Sequence, residues 1–193
     1  MKTLLNSHES SRGAIAAHSQ RVYASPADFC AIFDQDMNSL YALALLLTAG
    51  HEAAEDCFLA ALKDCRTGNA VFPEWARPWS RRAVIKTAIR LLNPAGPHFA
   101  EADVATEAIL NEMDDAGQKI LNLSTFSRFV FVITILEGYS TRECAALLGC
   151  SPREVEQAKL RALQQMASHA RDLVPVGYES GSYTDETPSF SAH

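Results

Sequence analysis

The stretch STRECAALLGCSPREVEQ, residues 140–157, contains the signals that decide the fold of the C-terminal part of the chain. Each half of it opens with a Ser-x-x-Glu capping box: Ser140 with Glu143, and Ser151 with Glu154. Pro152 suits the first position of a helix, and Gly149 can adopt the left-handed conformation that ends the preceding one. The pattern therefore predicts two short helices joined by a tight corner, a helix-turn-helix, with Ala145, Leu148 and Val155 filling the angle between them.

Two functions fit such a corner. It can place its second helix in the major groove of DNA, or it can simply pack a helical domain. Capping boxes fix helix ends in both cases, so the corner alone does not decide between these alternatives.

The composition is that of an acidic globular protein. The 193 residues include 17 Lys and Arg against 23 Asp and Glu, a formal net charge of −6, and 48% are hydrophobic. A protein that holds DNA by itself usually presents a basic surface to the phosphates. No apolar run approaches the ~20 residues of a membrane helix, and the N-terminus lacks a signal core, so we expect a cytoplasmic protein without membrane contact.

Cofactor, metal and catalytic motifs are not indicated. The five cysteines contain no C-x-x-C pair and are expected to be buried reduced thiols: Cys30, Cys57, Cys65, Cys144 and Cys150. The six histidines do not pair at metal-ligand spacing. No nucleophile elbow, phosphate loop or convergent carboxylate pair is found, so we do not expect an enzyme.

Apolar periodicity predicts an all-α protein of two small helical domains, because no segment has strand period with hairpin signals. The first domain, residues 26–94, contains three predicted helices: Pro26 to Gly50, Glu52 to Arg66, and Trp79 to Leu92. A flexible arm, residues 1–25, precedes it. An acidic linker, 95–118, leads to the helix-turn-helix domain, 119–172, and a disordered tail, 173–193.

The third predicted helix carries a basic stripe. Arg82, Lys86 and Arg90 recur at four-residue steps on one face, and residues 75–90 contain five basic side chains and no acidic one. Such a face is either an ordinary solvated surface or a contact for a nucleic acid strand. Trp75 and Trp79 are expected mainly as core anchors, although Trp79 is also available for stacking on a base.

A wider resemblance connects these features. The segment LEGYSTRECAALLGCSPREVEQAKLRAL, from residue 136, resembles the promoter-reading domain of bacterial RNA polymerase sigma factors of the small, extracytoplasmic-function type. Members typically show L-E-G-x-S-x-x-E-x-A-x-x-L-G-x-S, then V and, six residues on, R-A. Residues 40–62 resemble the polymerase-binding helices of the family, and WSRRAVIKTAIR, from residue 79, lies where the family has its promoter-melting helix.

The resemblance implies a factor that binds core RNA polymerase and directs it to promoter DNA, with an anti-sigma factor as a further partner. It also implies polymerase contacts by Glu55, Asp56 and Leu59. Because the polymerase supplies most phosphate contacts, an acidic factor is compatible with this function. Leu59, Lys86 and Ala158 depart from the usual residues of the family. These departures favour the alternative of a sigma-like interaction protein that binds a regulator without initiating transcription.

Helix geometry selects the candidate base-reading residues. On a helix starting at Pro152, Arg153 and Gln157 lie opposite the residues that face the core. Arg pairs with guanine and Gln with adenine in the major groove, whereas Lys159 and Arg161 are expected on phosphates. With Arg142, residues 139–163 carry four basic and three acidic side chains, a balance of +1, so the isolated protein should bind DNA weakly.

Overall fold

The computed structural model describes residues 23–68, 70–95 and 114–171, with side chains described as far as residue 168. Within these ranges the chain is helical and contains no strand, which confirms the predicted all-α class. The arm before residue 23, most of the acidic linker and the tail from residue 172 lie outside the described residues. The division into two domains at residues 95–118 remains a prediction.

Four helices form the N-terminal part: α1 (Pro26–Gln35), α2 (Met37–Thr48), α3 (His51–Thr67) and α4 (Ala76–Leu92), with a short 3-10 turn at Pro73–Trp75. Ser25 caps α1 through a capping box with Asp28, and Pro26 occupies its first turn. The helices pack against each other around a shared core, in which α2 contacts α1, α3 and α4. The buried side chains of α2 include Leu40, Leu43 and Leu47.

Four further helices follow residue 113: α5 (Asp115–Leu121), α6 (Thr125–Phe131), α7 (Thr141–Leu148) and α8 (Pro152–Arg171). A π-helical turn, Val132–Leu136, extends α6 before the chain reverses at Gly138, whose φ is 71°. Helix α8 crosses α6 and closes the helix-turn-helix with α7. Phe129, Val130 and Ile133 are fully buried beneath these helices.

The two parts of the chain are in direct contact. Helix α2 meets α5 and α6, and α4 meets α7. The buried apolar side chains of both parts belong to one continuous core. Arg128 lies within it, fully buried, and its guanidinium donates to the backbone carbonyls of Leu121 and Leu123 at 3.3 Å and of Leu47 at 3.5 Å.

The structure corrects several expectations drawn from the sequence. The first predicted helix is two helices, because the chain breaks at Asp36, whose carboxylate accepts from Arg77. The apolar spacing continues across the break, so periodicity alone did not reveal it. Cys30 is exposed and Cys150 half-buried, against the prediction of buried thiols. Trp75 is 61% exposed and is no core anchor, whereas Trp79 packs on the core as expected.

No helix among the described residues is both long and apolar enough to cross a membrane.

Candidate nucleic-acid interface

The corner between α7 and α8 is built by the two predicted capping boxes. At the start of α7, the Ser140 N–H donates to Glu143 Oε2 at 2.9 Å and the Glu143 N–H donates to Ser140 Oγ at 3.3 Å. At the start of α8, Ser151 and Glu154 make the same pair of bonds, at 2.8 and 3.3 Å. The Ser hydroxyls, and then the backbone N–H groups, lower the pKa of both carboxyls below the ordinary glutamate value.

The turn and the inner face of the corner also match the sequence prediction. Gly149 ends α7 in the left-handed region with φ 68°, and the Gly149 N–H donates to the carbonyl of Ala145. The side chains that fill the angle between the helices are Cys144, Ala145, Leu148, Val155 and Ala158, all buried. Burial raises the pKa of the Cys144 thiol to about 12, so this thiol stays protonated.

The outer face of α8 carries the predicted base-reading residues. Arg153, Gln157, Leu160 and Gln164 are all exposed, as the helical geometry predicted. Arg142 and Arg161 are exposed as well, and Lys159 is half-buried. Among the described residues the corner therefore presents Arg153 and Gln157 to solvent at the first two turns of α8, the part of the second helix that enters the major groove in helix-turn-helix proteins.

The basic face of α4 is more occupied than the sequence suggested. Lys86 is exposed and forms no ion pair with any described residue. Arg90 Nη2 donates to Asp64 Oδ2 at 3.0 Å on the protein surface. Arg82 lies over the ring of Tyr139, with its guanidinium carbon 5.7 Å from the ring centroid. Of the three residues in the predicted stripe, Lys86 is exposed without an ion pair among the described residues, whereas Arg82 and Arg90 contact other side chains.

Aromatic side chains surround the start of α4. A cavity of about 480 Å³ is lined by Phe72, Trp75, Trp79 and Arg82 from the N-terminal part and by Tyr139 and Glu143 from the C-terminal part. Phe72 also contacts Tyr23, with the ring centroids 5.2 Å apart and the ring planes tilted by 37°. Exposed aromatic faces beside cations are the side-chain chemistry that binds single-stranded nucleic acid.

The predicted polymerase-contacting residues share one surface. Glu55, Asp56 and Leu59 lie within about one turn of α3, and all three are exposed. Leu59 is 62% exposed, which is high for a leucine in a well-packed helix. These three residues lie together on α3, which is distant in sequence from the corner helices α7 and α8.

Sequence reasoning missed four residues that hold the two parts of the chain together: Arg81, Arg128, Glu137 and Tyr139. Each of them has a partner that is distant in sequence: Arg81 and Glu137 are 56 residues apart, and Arg128 donates to Leu47, 81 residues away. Arg81 is one of the five basic residues between 75 and 90, and Glu137 belongs to the L-E-G run. No sequence pattern connects the two positions. No cluster of three or more metal-ligating side chains occurs in the described part of the chain.

Comparison with known proteins supports the interpretation of the C-terminal part. A family model described as sigma-70, region 4, matches residues 114–166, which include α5 to α7 and most of α8. No curated protein matches the chain. The matched residues carry the capped corner and the exposed face of α8 described above. Residues 114–166 of this chain therefore match sigma-70 region 4, the family to which this C-terminal part is similar.

Proposed function

We propose that this protein is a sigma factor of the extracytoplasmic-function type, which binds core RNA polymerase and directs promoter-specific initiation of transcription. The single observation that carries the proposal is the helix-turn-helix of the region 4 domain, whose second helix presents Arg153 and Gln157 to solvent. In this function α8 reads the upstream promoter element, because each residue can make a bidentate contact with a base edge. Lys159, Arg161 and Arg142 contact phosphates.

The N-terminal helices supply the remaining contacts. Glu55, Asp56 and Leu59 bind the polymerase through the exposed face of α3. Arg82, Lys86 and Arg90 contact the opened promoter strand, with the aromatic side chains near Trp79 available for a base. The resemblance of residues 40–62 and 79–90 to the family supports this assignment, as does the exposure of all these polymerase- and strand-contacting residues except the half-buried Arg82.

A second candidate is a sigma-like protein that binds an anti-sigma factor or another regulator and does not initiate transcription. Leu59 favours it, because an apolar side chain replaces the usual polar residue at the polymerase-contacting surface. Ala158 no longer favours it: that side chain is fully buried in the corner and lies away from the DNA-reading face. Lys86 keeps a positive charge on the exposed side of α4 and is compatible with strand contact.

One experiment separates the two candidates. Purified full-length protein is incubated with core polymerase, bound complexes are recovered, and transcription is then measured on a library of promoter fragments. The proposed function predicts co-purification and a distinct set of transcripts that core polymerase alone does not make. Co-purification without transcripts supports the interaction protein, and failure to bind the polymerase contradicts the sigma-factor proposal.

A further inference from the structure

A bidentate ion pair joins helix α4 to the reversal that precedes α7. Arg81 Nε donates to Glu137 Oε2 at 2.8 Å, and Arg81 Nη2 donates to the other carboxylate oxygen of Glu137. The third nitrogen of the guanidinium, Nη1, donates to Ser39 Oγ at 2.7 Å. All of the nitrogen atoms of Arg81 are therefore engaged, and the side chain is held by α2 and by the region 4 domain together.

The carboxylate of this pair is sheltered from water, whereas the arginine is partly exposed. The Glu137 side chain is 8% exposed and that of Arg81 is 37% exposed. A bidentate Arg–carboxylate pair of this kind has fixed geometry and is screened less by salt than a surface pair. The hydrogen bond to Glu137 is also the main cause that raises the pKa of Arg81.

The residues after Glu137 cover the next cation of α4. Gly138 has a left-handed φ of 71°, which turns the chain so that Tyr139 lies beneath Arg82. Glu143 follows on the same side, and its carboxylate is close enough to Arg82 for the two charges to interact. Arg81 and Arg82, which are adjacent on α4, thus interact with Glu137 and with Tyr139 and Glu143 of the region 4 domain.

The contact lies between two surface clefts. Tyr139 lines both of them, one of about 480 Å³ towards Trp75 and one of about 450 Å³ towards Asp36. The contact between α4 and residues 137–139 is therefore polar and close to solvent, unlike the apolar core beneath it.

We infer that residues Glu137–Tyr139 are an intramolecular cover that withholds Arg81 and Arg82 from nucleic acid in the free protein. The inference rests on the proposed function, in which α4 contacts the opened promoter strand, and adds Arg81 to the residues that make this contact. A phosphate and the Glu137 carboxylate compete for the same guanidinium. Breaking the cover therefore strengthens binding of a single strand by the isolated chain.

The test uses full-length protein and a fluorescently labelled 20-nucleotide poly(dT) strand, with affinity measured over a range of salt concentrations. Glu137→Gln removes the carboxylate charge and should bind about fivefold or more tightly than the wild type, the lower end of typical coupling between sites. The slope of log affinity against log salt should steepen by ~0.7 for each phosphate gained. Glu52→Gln, an exposed residue on α3, is the matched control for the change in net charge.

A double variant identifies the cation that is released. If the gain comes from freeing Arg81, Arg81→Ala combined with Glu137→Gln binds no more tightly than Arg81→Ala alone. Tyr139→Leu, which removes only the ring beneath Arg82, should give a smaller gain in the same direction and serves if Glu137→Gln does not fold. The inference is overturned if Glu137→Gln and Tyr139→Leu bind the strand no more tightly than Glu52→Gln. It is also overturned if Glu137→Gln still increases the affinity when Arg81 is replaced by Ala.

The outcome is separable from that of the proposed function. If the reconstituted holoenzyme transcribes but Glu137→Gln does not bind the strand more tightly, the inferred cover is wrong and the sigma-factor proposal stands. If Glu137→Gln binds the strand more tightly but the protein never supports transcription, the inferred cover stands and the sigma-factor proposal is wrong.

Discussion

Ser151 and Glu154 hold each other at the first turn of α8: the Ser151 N–H donates to Glu154 Oε2 at 2.8 Å, and the Glu154 N–H donates to Ser151 Oγ at 3.3 Å. This reciprocal pair fixes where the candidate DNA-reading helix begins. It therefore positions Arg153, between the two residues, and Gln157 one turn later. An equivalent pair at Ser140 and Glu143 fixes the start of α7.

The two capping boxes predict how stability depends on pH. The pKa values of Glu143 and Glu154 are lowered in the folded protein, so their contribution is present above the unfolded pKa of about 4.3 and is lost as pH falls through the folded values. The difference in unfolding free energy between the wild type and a Glu143→Gln, Glu154→Gln variant should shrink across that interval. Urea unfolding at pH 7 and at successively lower pH measures it. A difference independent of pH contradicts the assignment.

The turn of the corner depends on a glycine. Gly149 has a φ of 68°, a conformation that is costly for side chains with a Cβ, although a Cβ there would meet no atom within 4 Å. Gly149→Ala should therefore lower the unfolding free energy by about 1–2 kcal/mol through backbone strain alone. Gly149→Asn should lose less, because Asn tolerates the left-handed region. Equal losses in thermal unfolding would show that strain is not the cause.

The buried guanidinium of Arg128 predicts a larger effect than any surface arginine. Arg128→Met keeps an apolar stem but leaves the carbonyls of Leu121 and Leu123 without this donor, which should cost about 1–3 kcal/mol of unfolding free energy. Arg142→Met, on the exposed side of α7, should change it by less than about 0.5 kcal/mol. Urea unfolding of the two variants checks the contrast, and equal effects contradict a structural role for Arg128.

The helix ends were readable from the sequence because their interactions are local. A capping box joins residues three apart, and Gly149 acts through its own backbone, so the corner was predicted correctly before any packing was known. The contacts of Arg81 and Arg77, and the contact of Arg128 with Leu47, were not readable, because those partners lie tens of residues away. The break at Asp36 was hidden because the apolar period does not change there, and its contact with Arg77 joins residues that are 41 apart.

The exposed acidic face of α3 predicts a charge-sensitive polymerase contact. Reversing Glu55 and Asp56 to Lys should weaken co-purification with core polymerase about tenfold or more, a change typical of lost charge pairs at an interface. Helical content, measured by circular dichroism, should stay unchanged because both side chains are exposed. Glu74→Lys, exposed in the turn before α4, is the control for altered net charge. Unaltered co-purification of the Glu55 and Asp56 variant would remove this surface from the polymerase contact.

The central claim is that α8 reads promoter DNA through Arg153 and Gln157. The most direct measurement is transcription by reconstituted holoenzyme on a promoter whose upstream element is randomised, comparing the wild type with Arg153→Ala and Gln157→Ala. Each variant should lose base preference at one position, worth about 1–3 kcal/mol of discrimination, while folding and polymerase binding are retained. Lys159→Ala and Arg161→Ala should weaken binding to all promoter sequences to the same extent. Full activity and unchanged base preference in the Arg153 and Gln157 variants would contradict the claim and leave α8 as a packing element of a sigma-like interaction protein.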